Sequence, residues 1–382
     1  MKRLLIILQD LNGGGAEKMM ARLAGALAEA GNEVTLLTLT GTGVNSAYLD
    51  PRVRQVQLHS ARSSSAVPAL ARFLRHNRFD AQLAALTHVN VVAIVAAALS
   101  GTLARLHVSE RNAFSHDRHV NPAWMVRIAY LLAPLLYRLI PNPVICVSRG
   151  VAQDLVDTTI TRPKDVTIAD NPVLDNDFRD KPPGRPNHRW LSKKTTPVIV
   201  AVGRLARQKG FDVLLDAFAR LADPTVRLII FGEGVLRAEL LEQAVALGVA
   251  ERFDLPGYTH DPLAEVAAAD CFVLSSRFEG SPNALVEALS TGTPVVSTRC
   301  PYGPPEILDD GAIAPLVAVD DPDALAQAIT VELTLPRDAN RQARIDAAAR
   351  FVSACAAKTY LDALLGPFQE DNAPGKLTED VP

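Results

Sequence analysis

Several kinds of sequence feature are scarce in this 382-residue chain, and cysteine is the first of them. The four cysteines, Cys146, Cys271, Cys300 and Cys355, lie far apart and form no C-x-x-C pair. This spacing argues against a zinc ribbon and against a disulfide framework, and it favours a reducing compartment.

Long apolar runs are also absent. The N-terminal run MKRLLIIL is followed at once by Gln9 and Asp10, without the small-residue cleavage site of a signal peptide. The run VVAIVAAAL at 91–99 is far shorter than the roughly 20 residues that span a bilayer. We therefore expect a cytoplasmic protein that does not cross a membrane but can lie on one.

An excess of one charge is missing too, since the formal net charge is only −3. The chain has no global basic field, so we expect no nucleic-acid partner. Aromatic residues make up 5% of the chain and apolar residues 48%, mostly Val, Ile, Leu and Ala. This composition is typical of parallel sheets that helices bury on both faces, and the length predicts two domains.

Short apolar runs alternate with segments of helical period along most of the chain. The predicted strands are RLLIIL, EVTLLTL, AQLAAL, ARLHVS, PVICVS and VTIA, and then VIVAVG, VRLIIFG, CFVLSS, PVVST and PLVAV. This pattern predicts an α/β fold with two doubly wound, Rossmann-like domains at 1–173 and 197–350. A Pro-rich, charged linker is predicted at 174–196, and the polar end at 367–382 is expected to be disordered.

The segment SSRFEGSPNALVEALSTGTPVV at 275–296 predicts a strand that leads into a helix. Ser281 is the expected N-cap and Pro282 the first helical residue. Backbone amides at such a helix start suit a phosphate. The predicted contacts of a phosphorylated ligand here are Gly280, Asn283, Ala284 and Leu285.

Two glutamates flank the same helix start. Glu279 lies just ahead of it, and Glu287 lies about a turn and a half inside it, on the face of Asn283. Ionised carboxylates are pure acceptors for hydroxyl groups, so the pair suits a ligand with sugar rings. A cap and a solvated helix face would be the purely structural interpretation.

The segment VGRLARQKGFDVLLDAF at 202–218 places Arg204 and Lys209 between a strand and an amphipathic helix. Two cations at that place would clamp a diphosphate and stabilise charge that develops on it as a leaving group. Either cation alone would be interpreted as an ordinary surface residue.

A run of glycines follows the first strand in LNGGGAEK, 11–18. Gly14 and Gly15 would let the backbone approach a ligand closely at a helix start. The run is similar to half of a dinucleotide fingerprint, but G-x-G-x-x-G is absent and the second strand ends without an acidic residue.

Together these motifs resemble the retaining glycosyltransferases of family 4, which have the GT-B fold. The resemblance covers nearly the whole chain. It rests on GGGAE, SERN (109–112), VSRGVAQDLV (147–156), NPV (171–173), GRLARQKG (203–210), FGEG (231–234), the E-x7-E pair, and CPYGPPEIL (300–308).

The resemblance implies a nucleotide-sugar donor in the C-terminal domain, held by its diphosphate on Arg204 and Lys209. Glu287 would bind the ribose and Glu279 the transferred sugar. The glycine loop would face the donor phosphate from the N-terminal domain, which would also bind the acceptor. No cofactor and no metal are expected, and a final helix at about 351–366 would cross back onto the N-terminal domain.

The chain departs from the family pattern at two places. Many members carry a histidine at the end of the fourth N-terminal strand, where this chain has Ser109, with His107 two residues earlier. Both are candidate catalytic residues, although His107 fits a core position better. Pro305 stands where CPYGPREI motifs have arginine, while Glu306 is kept.

The resemblance is to enzymes that build bacterial polysaccharides and lipid-linked oligosaccharides. We expect a hexosyltransferase with a UDP-sugar as the favoured donor, GDP-mannose as the other donor, and a lipid-linked glycan acceptor. The alternatives are a sugar-nucleotide epimerase of the same fold or a non-catalytic binding protein. A nicotinamide-dependent oxidoreductase is disfavoured by the missing fingerprint.

The segment at 122–141 mixes leucines and aromatic residues with Arg127 and Arg138. It predicts either an interfacial helix at the inner face of the cytoplasmic membrane or an ordinary core-facing helix.

Overall fold

A computed structural model describes residues 1–12, 14–120, 124–259 and 261–366. The predicted disordered tail at 367–382 lies outside the described residues. The chain divides into two compact units. The first unit consists of Met1–Val173 and the segment from Phe351 onward, and the second is Leu174–Arg350.

The strands and helices alternate regularly in both units. The strands are β1 (Arg3–Leu8), β2 (Glu33–Thr38), β3 (Arg54–Gln57), β4 (Ala81–Ala85), β5 (Leu106–Glu110), β6 (Val144–Cys146), β7 (Val166–Ile168), β8 (Val198–Val202), β9 (Arg227–Phe231), β10 (Phe253–Gly257), β11 (Cys271–Leu274), β12 (Val295–Thr298) and β13 (Leu316–Val317). The helices are α1 (Gly15–Glu29), α2 (Val67–His76), α3 (Thr87–Ser100), α4 (Phe114–Val120), α5 (Trp124–Leu139), α6 (Arg149–Thr158), α7 (Arg189–Ser192), α8 (Phe211–Ala219), α9 (Arg237–Ala246), α10 (Pro262–Ala268), α11 (Asn283–Ser290), α12 (Pro304–Ile307), α13 (Pro322–Thr334), α14 (Arg341–Ala348) and α15 (Ser353–Leu365).

Each unit contains one parallel sheet. The strand order is β3-β2-β1-β4-β5-β6-β7 in the first unit and β10-β9-β8-β11-β12-β13 in the second. In both sheets the order reverses next to the first strand of the unit, between β1 and β4 and between β8 and β11. Open parallel sheets bind ligands beyond the carboxyl ends of the strands at such a switch point. The topology therefore marks one candidate ligand edge in each unit.

The apolar runs form strands because both faces of each sheet are covered. In the first unit one apolar cluster includes Leu5, Ile7 and helix α3, and another includes Leu4, Ile6 and helix α1. The second unit has a cluster around β8, β9 and α8. The predicted α/β class with two doubly wound sheets is confirmed.

Two strands escaped the sequence analysis, and both lie at sheet edges. Strand β3 reads RQVQ and is half-buried or exposed throughout, so it has no apolar run. Strand β10 reads FDLPG, where Asp254 and Pro256 interrupt the apolar residues. Proline is tolerated there because an edge strand has unpaired N–H positions.

Helix α15 completes the core of the first unit. Ala357, Tyr360 and Leu364 are buried in the cluster that contains β1 and α1. The segment that precedes β8 packs on the second unit, where Glu265 accepts backbone hydrogen bonds from Asn187 and His188. Residues 187–192 of the predicted linker thus contact the second unit. No helix in the described part of the chain is both long and apolar enough to span a bilayer.

Candidate functional site

The loop that carries Arg204 is fixed by backbone contacts at the switch point of the second unit. Arg204 follows β8, and Leu205 N–H donates to the Glu233 carbonyl at 2.9 Å. Gly232 has φ +146°, and a Cβ there would overlap the carbonyl oxygen of Gly203. Glycine is therefore required for the loops after β8 and β9 to lie this close. Arg204 itself is exposed.

Lys209 is held against the loop that follows β11. It ends a 3-10 turn and is followed by Gly210, whose φ is +61°. A Cβ at Gly210 would overlap the carbonyl oxygen of Ser275. Ser275 Oγ donates to the Lys209 carbonyl at 2.8 Å, so the two loops are in direct contact at Lys209 and Gly210.

Lys209 and Glu279 form an ion pair at this edge. Lys209 Nζ lies 2.6 Å from Glu279 Oε1, and Ser276 Oγ donates to the same oxygen at 2.5 Å. The Glu279 side chain is only 6% exposed and that of Lys209 20%. In the described part of the chain, Glu279 Oε2 has no hydrogen-bond partner. An ammonium has three N–H donors, so Lys209 can bind a second acceptor without leaving Glu279.

Arg277 locks the loop that presents Glu279, a role that the sequence analysis missed. Its guanidinium donates to both carboxylate oxygens of Asp212 at 2.9 and 2.8 Å and to Asp320 at 2.8 Å. Burial alone would raise the pKa of Asp212, but the hydrogen bonds and charge of Arg277 outweigh it and lower that pKa. The pair is an interaction between the end of β11 and the start of α8.

Helix α11 begins one residue later than predicted. Pro282 is its N-cap, without a side-chain cap, and Asn283 is its first residue, so the assignment of Ser281 as N-cap is wrong. Leu285 N–H already donates to the Pro282 carbonyl at 3.0 Å. The amides of Asn283 and Ala284 come before the first position that has an intrahelical acceptor.

Glu287 lies inside the same helix and is 8% exposed. Its position four residues after Asn283 places both side chains on one face of α11. Gly280 is buried in the loop between Glu279 and the helix start. The second unit therefore brings Arg204, Lys209 and Glu279 to the ends of two adjacent strands, with the α11 start following them in the chain.

The glycine loop of the first unit lies where the sequence predicts it. Gly14 is the N-cap of α1 and Gly15 its first residue. The Glu17 carboxylate fills the space that a Cβ at Gly14 would occupy. An anionic ligand would compete with this carboxylate, so a phosphate contact at Gly14 and Gly15 requires Glu17 to move and stays a prediction.

The two candidates on β5 are built into the protein interior. His107 is 5% exposed and hydrogen bonds to the Leu364 backbone. Burial lowers its pKa to about 4, against the opposing effect of that hydrogen bond. Ser109 is fully buried, and its hydroxyl accepts from Arg111 at 3.4 Å. These positions favour packing roles for His107 and Ser109 over contact with a substrate.

The next two residues of β5 and its loop are buried as well. Arg111 donates to Tyr360 at 2.6 Å and to Asn171, which joins β5 to α15. Glu110 lies on the other face, where Thr87, Asn90 and Tyr137 donate to its carboxylate. Burial raises the pKa of Glu110 to about 7, although these hydrogen bonds act in the opposite direction. Glu110 and Arg111 thus anchor β5 within the first unit.

Two protein-family models match the chain. The model described as Glycosyltransferase Family 4 matches residues 13–177, and the model described as Glycosyl transferases group 1 matches residues 196–334. Between them they cover most of both units.

Individual relatives agree with these models. A 4-α-N-acetylgalactosaminyltransferase of Campylobacter jejuni, named for its diphospho-undecaprenol-linked acceptor, is 28% identical over 351 residues, 87% of this chain and 90% of the relative. The lipopolysaccharide core biosynthesis glycosyltransferase LpsE of Rhizobium meliloti is 40% identical over 133 residues, 35% of this chain and 38% of that relative's length. The structure of HepE from Anabaena with UDP and glucose has a TM-score of 0.78 at 21% identity, covering 95% of this chain and 99% of HepE.

Proposed function

Because the chain belongs to glycosyltransferase family 4, we propose that it is a retaining hexosyltransferase that uses a UDP-sugar and a lipid-linked glycan acceptor in bacterial surface polysaccharide or oligosaccharide assembly. The predictions of the family, of the GT-B fold class and of a sugar-transferring enzyme are confirmed. Donor, acceptor and stereochemistry are our proposals, as is the expectation that neither metal nor cofactor is needed.

The observation that carries this proposal is the contact between Lys209 and Glu279 at the switch point of the second unit. The buried carboxylate neutralises one cation and keeps a free oxygen for a sugar hydroxyl. Arg204, exposed on the adjacent loop, has no carboxylate within ion-pair distance among the described residues. Its positive charge is therefore available for a diphosphate.

The transfer proceeds by loss of the donor diphosphate from the sugar carbon. Arg204, Lys209 and the amides of Asn283 and Ala284 stabilise the negative charge that grows on the leaving oxygen. The acceptor hydroxyl attacks the same face of the sugar, and its proton passes to the departing diphosphate. Glu279 accepts a hydrogen bond from the transferred sugar, and Glu287 accepts from the ribose of the donor.

A UDP-sugar is favoured because HepE, with the same fold, was solved with UDP and with UDP-glucose. Calorimetric titration with UDP and with GDP tests this choice. We expect UDP to bind, and Arg204→Ala and Glu287→Ala to weaken its binding at least tenfold. The matched control is Arg220→Ala, because Arg220 is an arginine of the same unit that forms a surface ion pair with Asp323.

Turnover provides the second measurement. Removing one preorganised donor at a developing charge costs about a hundredfold or more in rate. We expect that loss for Arg204→Ala and none for Arg220→Ala in hydrolysis or transfer from UDP-sugars. Equal turnover in both variants, or binding of neither nucleotide, would refute the assignment of the donor site.

Helix α5 supports a membrane-bound acceptor. Its buried residues are Ala129, Ala133 and Tyr137, and Tyr130 and Leu136 pack partly against the same core. The opposite side is apolar too, since Leu131 is 78% exposed and Leu135 52%. A helix with a second, exposed apolar side resembles an interfacial helix, with that side towards lipid.

The exposed stripe on α5 continues along one side of the helix. It comprises Trp124, Ile128, Leu131, Leu132, Leu135 and Leu139. Arg127 is exposed at its margin and suits an anionic headgroup, whereas Arg138 is held by Asp165 and the Ile160 carbonyl. The Campylobacter relative acts on an undecaprenol-linked acceptor by its name, which fits a substrate held in a bilayer. We infer that this stripe rests on the membrane surface.

Flotation with vesicles of phosphatidylglycerol and phosphatidylethanolamine tests the inference. Each exposed leucine that enters the bilayer contributes about 1.5–3 kcal/mol. We expect the protein to float and the Leu131→Ser/Leu135→Ser double variant to stay behind, while Leu241→Ser on α9 floats normally. Absence of wild-type binding at every composition, or dimerisation through α5 in light scattering, would contradict it.

A further inference from the structure

Four polar side chains meet at the switch point of the first unit. Gln9 and Asp10 directly follow β1, and His88 lies in the first turn of α3, just after β4. Ser63 comes from the 3-10 turn before α2. Because β1 and β4 are adjacent, these residues share the edge at which an open parallel sheet binds its ligand.

The side-chain amide of Gln9 is the centre of this cluster, donating through its nitrogen and accepting through its oxygen. Asp10 Oδ2 accepts from Gln9 Nε2 at 3.3 Å, which fixes the orientation of the Gln9 amide. Gln9 Oε1 then faces both Ser63 Oγ at 3.1 Å and His88 Nε2 at 2.5 Å. An amide oxygen only accepts, so His88 must carry its proton on Nε2.

This tautomer leaves His88 Nδ1 as a hydrogen-bond acceptor. No described residue bonds to Nδ1, and His88 is half-buried rather than enclosed. Burial lowers the pKa of His88, and the nearby Asp10 charge opposes that effect without reversing it. The imidazole is therefore neutral at pH 7 and presents a lone pair.

Asp10 adds a second acceptor to the same edge. Its Oδ1 accepts from Asn12 N–H at 2.8 Å, and no described cation forms an ion pair with it. A carboxylate and a neutral imidazole nitrogen together repel phosphate and other anions and attract groups that donate hydrogen bonds. Sugar hydroxyls are such donors, and two adjacent hydroxyls on a ring can reach two acceptors at once.

We propose that Asp10 and His88 form a recognition site for an uncharged sugar ring of the acceptor, with Gln9 as the positioning residue that sets the His88 tautomer. The ring donates one hydroxyl hydrogen bond to His88 Nδ1 and another to Asp10. This inference rests on the proposed sugar transfer and names the chemistry of the acceptor at one site in the first unit.

The probes are methyl glucoside, methyl galactoside and methyl N-acetylglucosaminide, with inorganic phosphate as the anionic alternative. The measurement is the nitrogen chemical shifts of the histidine side chains in the full-length, isotope-labelled protein. His88→Ala identifies the His88 signals, and His76→Ala removes an exposed histidine of α2 as the matched control. We expect an Nε2–H tautomer and a saturable shift of Nδ1 with at least one glycoside.

Two substitutions separate recognition from folding. His88→Asn keeps a polar atom near the Nδ1 position, and His88→Gln keeps one near Nε2 that can bond to Gln9. We expect His88→Asn to weaken glycoside binding less than His88→Gln does. Asp10→Asn should weaken it about tenfold, as loss of a charged hydrogen bond implies. Circular dichroism of each variant checks that the fold is retained.

The outcomes separate this inference from the proposed function. UDP titration of the same sample tests the proposed donor site, which is independent of Asp10 and His88. If UDP binds and no glycoside shifts His88 Nδ1, or if phosphate does so instead, the sugar site is refuted while the donor assignment stands. If glycosides shift His88 but UDP does not bind, the sugar site stands and the proposed UDP-sugar donor is refuted.

Discussion

The buried carboxyl of Glu110 makes the stability of the first unit depend on pH. Its pKa is about 7, against 4.5 for an ordinary glutamate, because burial disfavours the charged form more than its hydrogen bonds favour it. The folded state therefore holds this proton more tightly than the unfolded state does. The contribution of Glu110 to the free energy of unfolding is fully present below pH 4.5, and it is lost as the pH rises through 7.

The size of the effect follows from the two pKa values. Each pH unit between them costs about 1.4 kcal/mol, and partial titration at the ends reduces the total. Between about pH 5 and 8 the wild type should lose roughly 2.5 kcal/mol that Glu110→Gln does not lose. The glutamine can keep hydrogen bonds because the hydroxyls of Thr87 and Tyr137 can donate or accept.

Urea unfolding at the two pH values measures the difference. The chain has two tryptophans, so a Trp190→Phe background leaves Trp124 as a fluorescence reporter of the first unit. Glu29→Gln is the control, since Glu29 is exposed at the end of α1. If the free-energy difference between Glu110→Gln and its background is the same at pH 5 and pH 8, Glu110 does not titrate near 7 and the burial argument is refuted.

Three further substitutions test other contacts. Gly232→Ala should destabilise the second unit by about 1–3 kcal/mol in urea unfolding, because the new methyl group meets the Gly203 carbonyl at a φ that other residues rarely adopt. Unchanged stability would mean that the loops after β8 and β9 can separate freely. Tyr360→Phe should lower the free energy of unfolding of the first unit by about 1.5–3 kcal/mol, because Arg111 loses a buried hydrogen-bond partner. An unchanged free energy would show that water replaces the hydroxyl. Lys209→Gln should lower turnover about a hundredfold, and full activity would remove this residue from the donor site.

The sequence predicted strands wherever an apolar run marks a strand that is covered on both faces. It missed β3 because RQVQ contains no apolar run, and β10 because Asp254 and Pro256 interrupt the run in FDLPG. It also placed the N-cap of α11 at Ser281, since a serine followed by proline is the common cap pattern. In the structure the loop from Glu279 is longer, and Pro282 takes the cap position.

The candidate site could be predicted in part because each functional residue follows a strand. What brings the loop of Arg204 and Lys209 next to the loop of Glu279 is the pairing of β8 with β11, and strand order is a long-range property that local periodicity does not contain. The same limit explains why Gln9 and His88 were missed: each is an ordinary polar residue after a strand, and only the pairing of β1 with β4 joins them. The signal was present in the residues QD and TH directly after two apolar runs.

The return of the chain to the first unit has a consequence for its synthesis. Helix α15 supplies Ala357, Tyr360 and Leu364 to a core whose other members all lie before residue 170. A ribosome that has released the whole first sheet must still translate the entire second unit before this core can close. The nascent first unit is therefore exposed to chaperones and proteases for most of translation, whereas the second unit is continuous and can fold as it emerges.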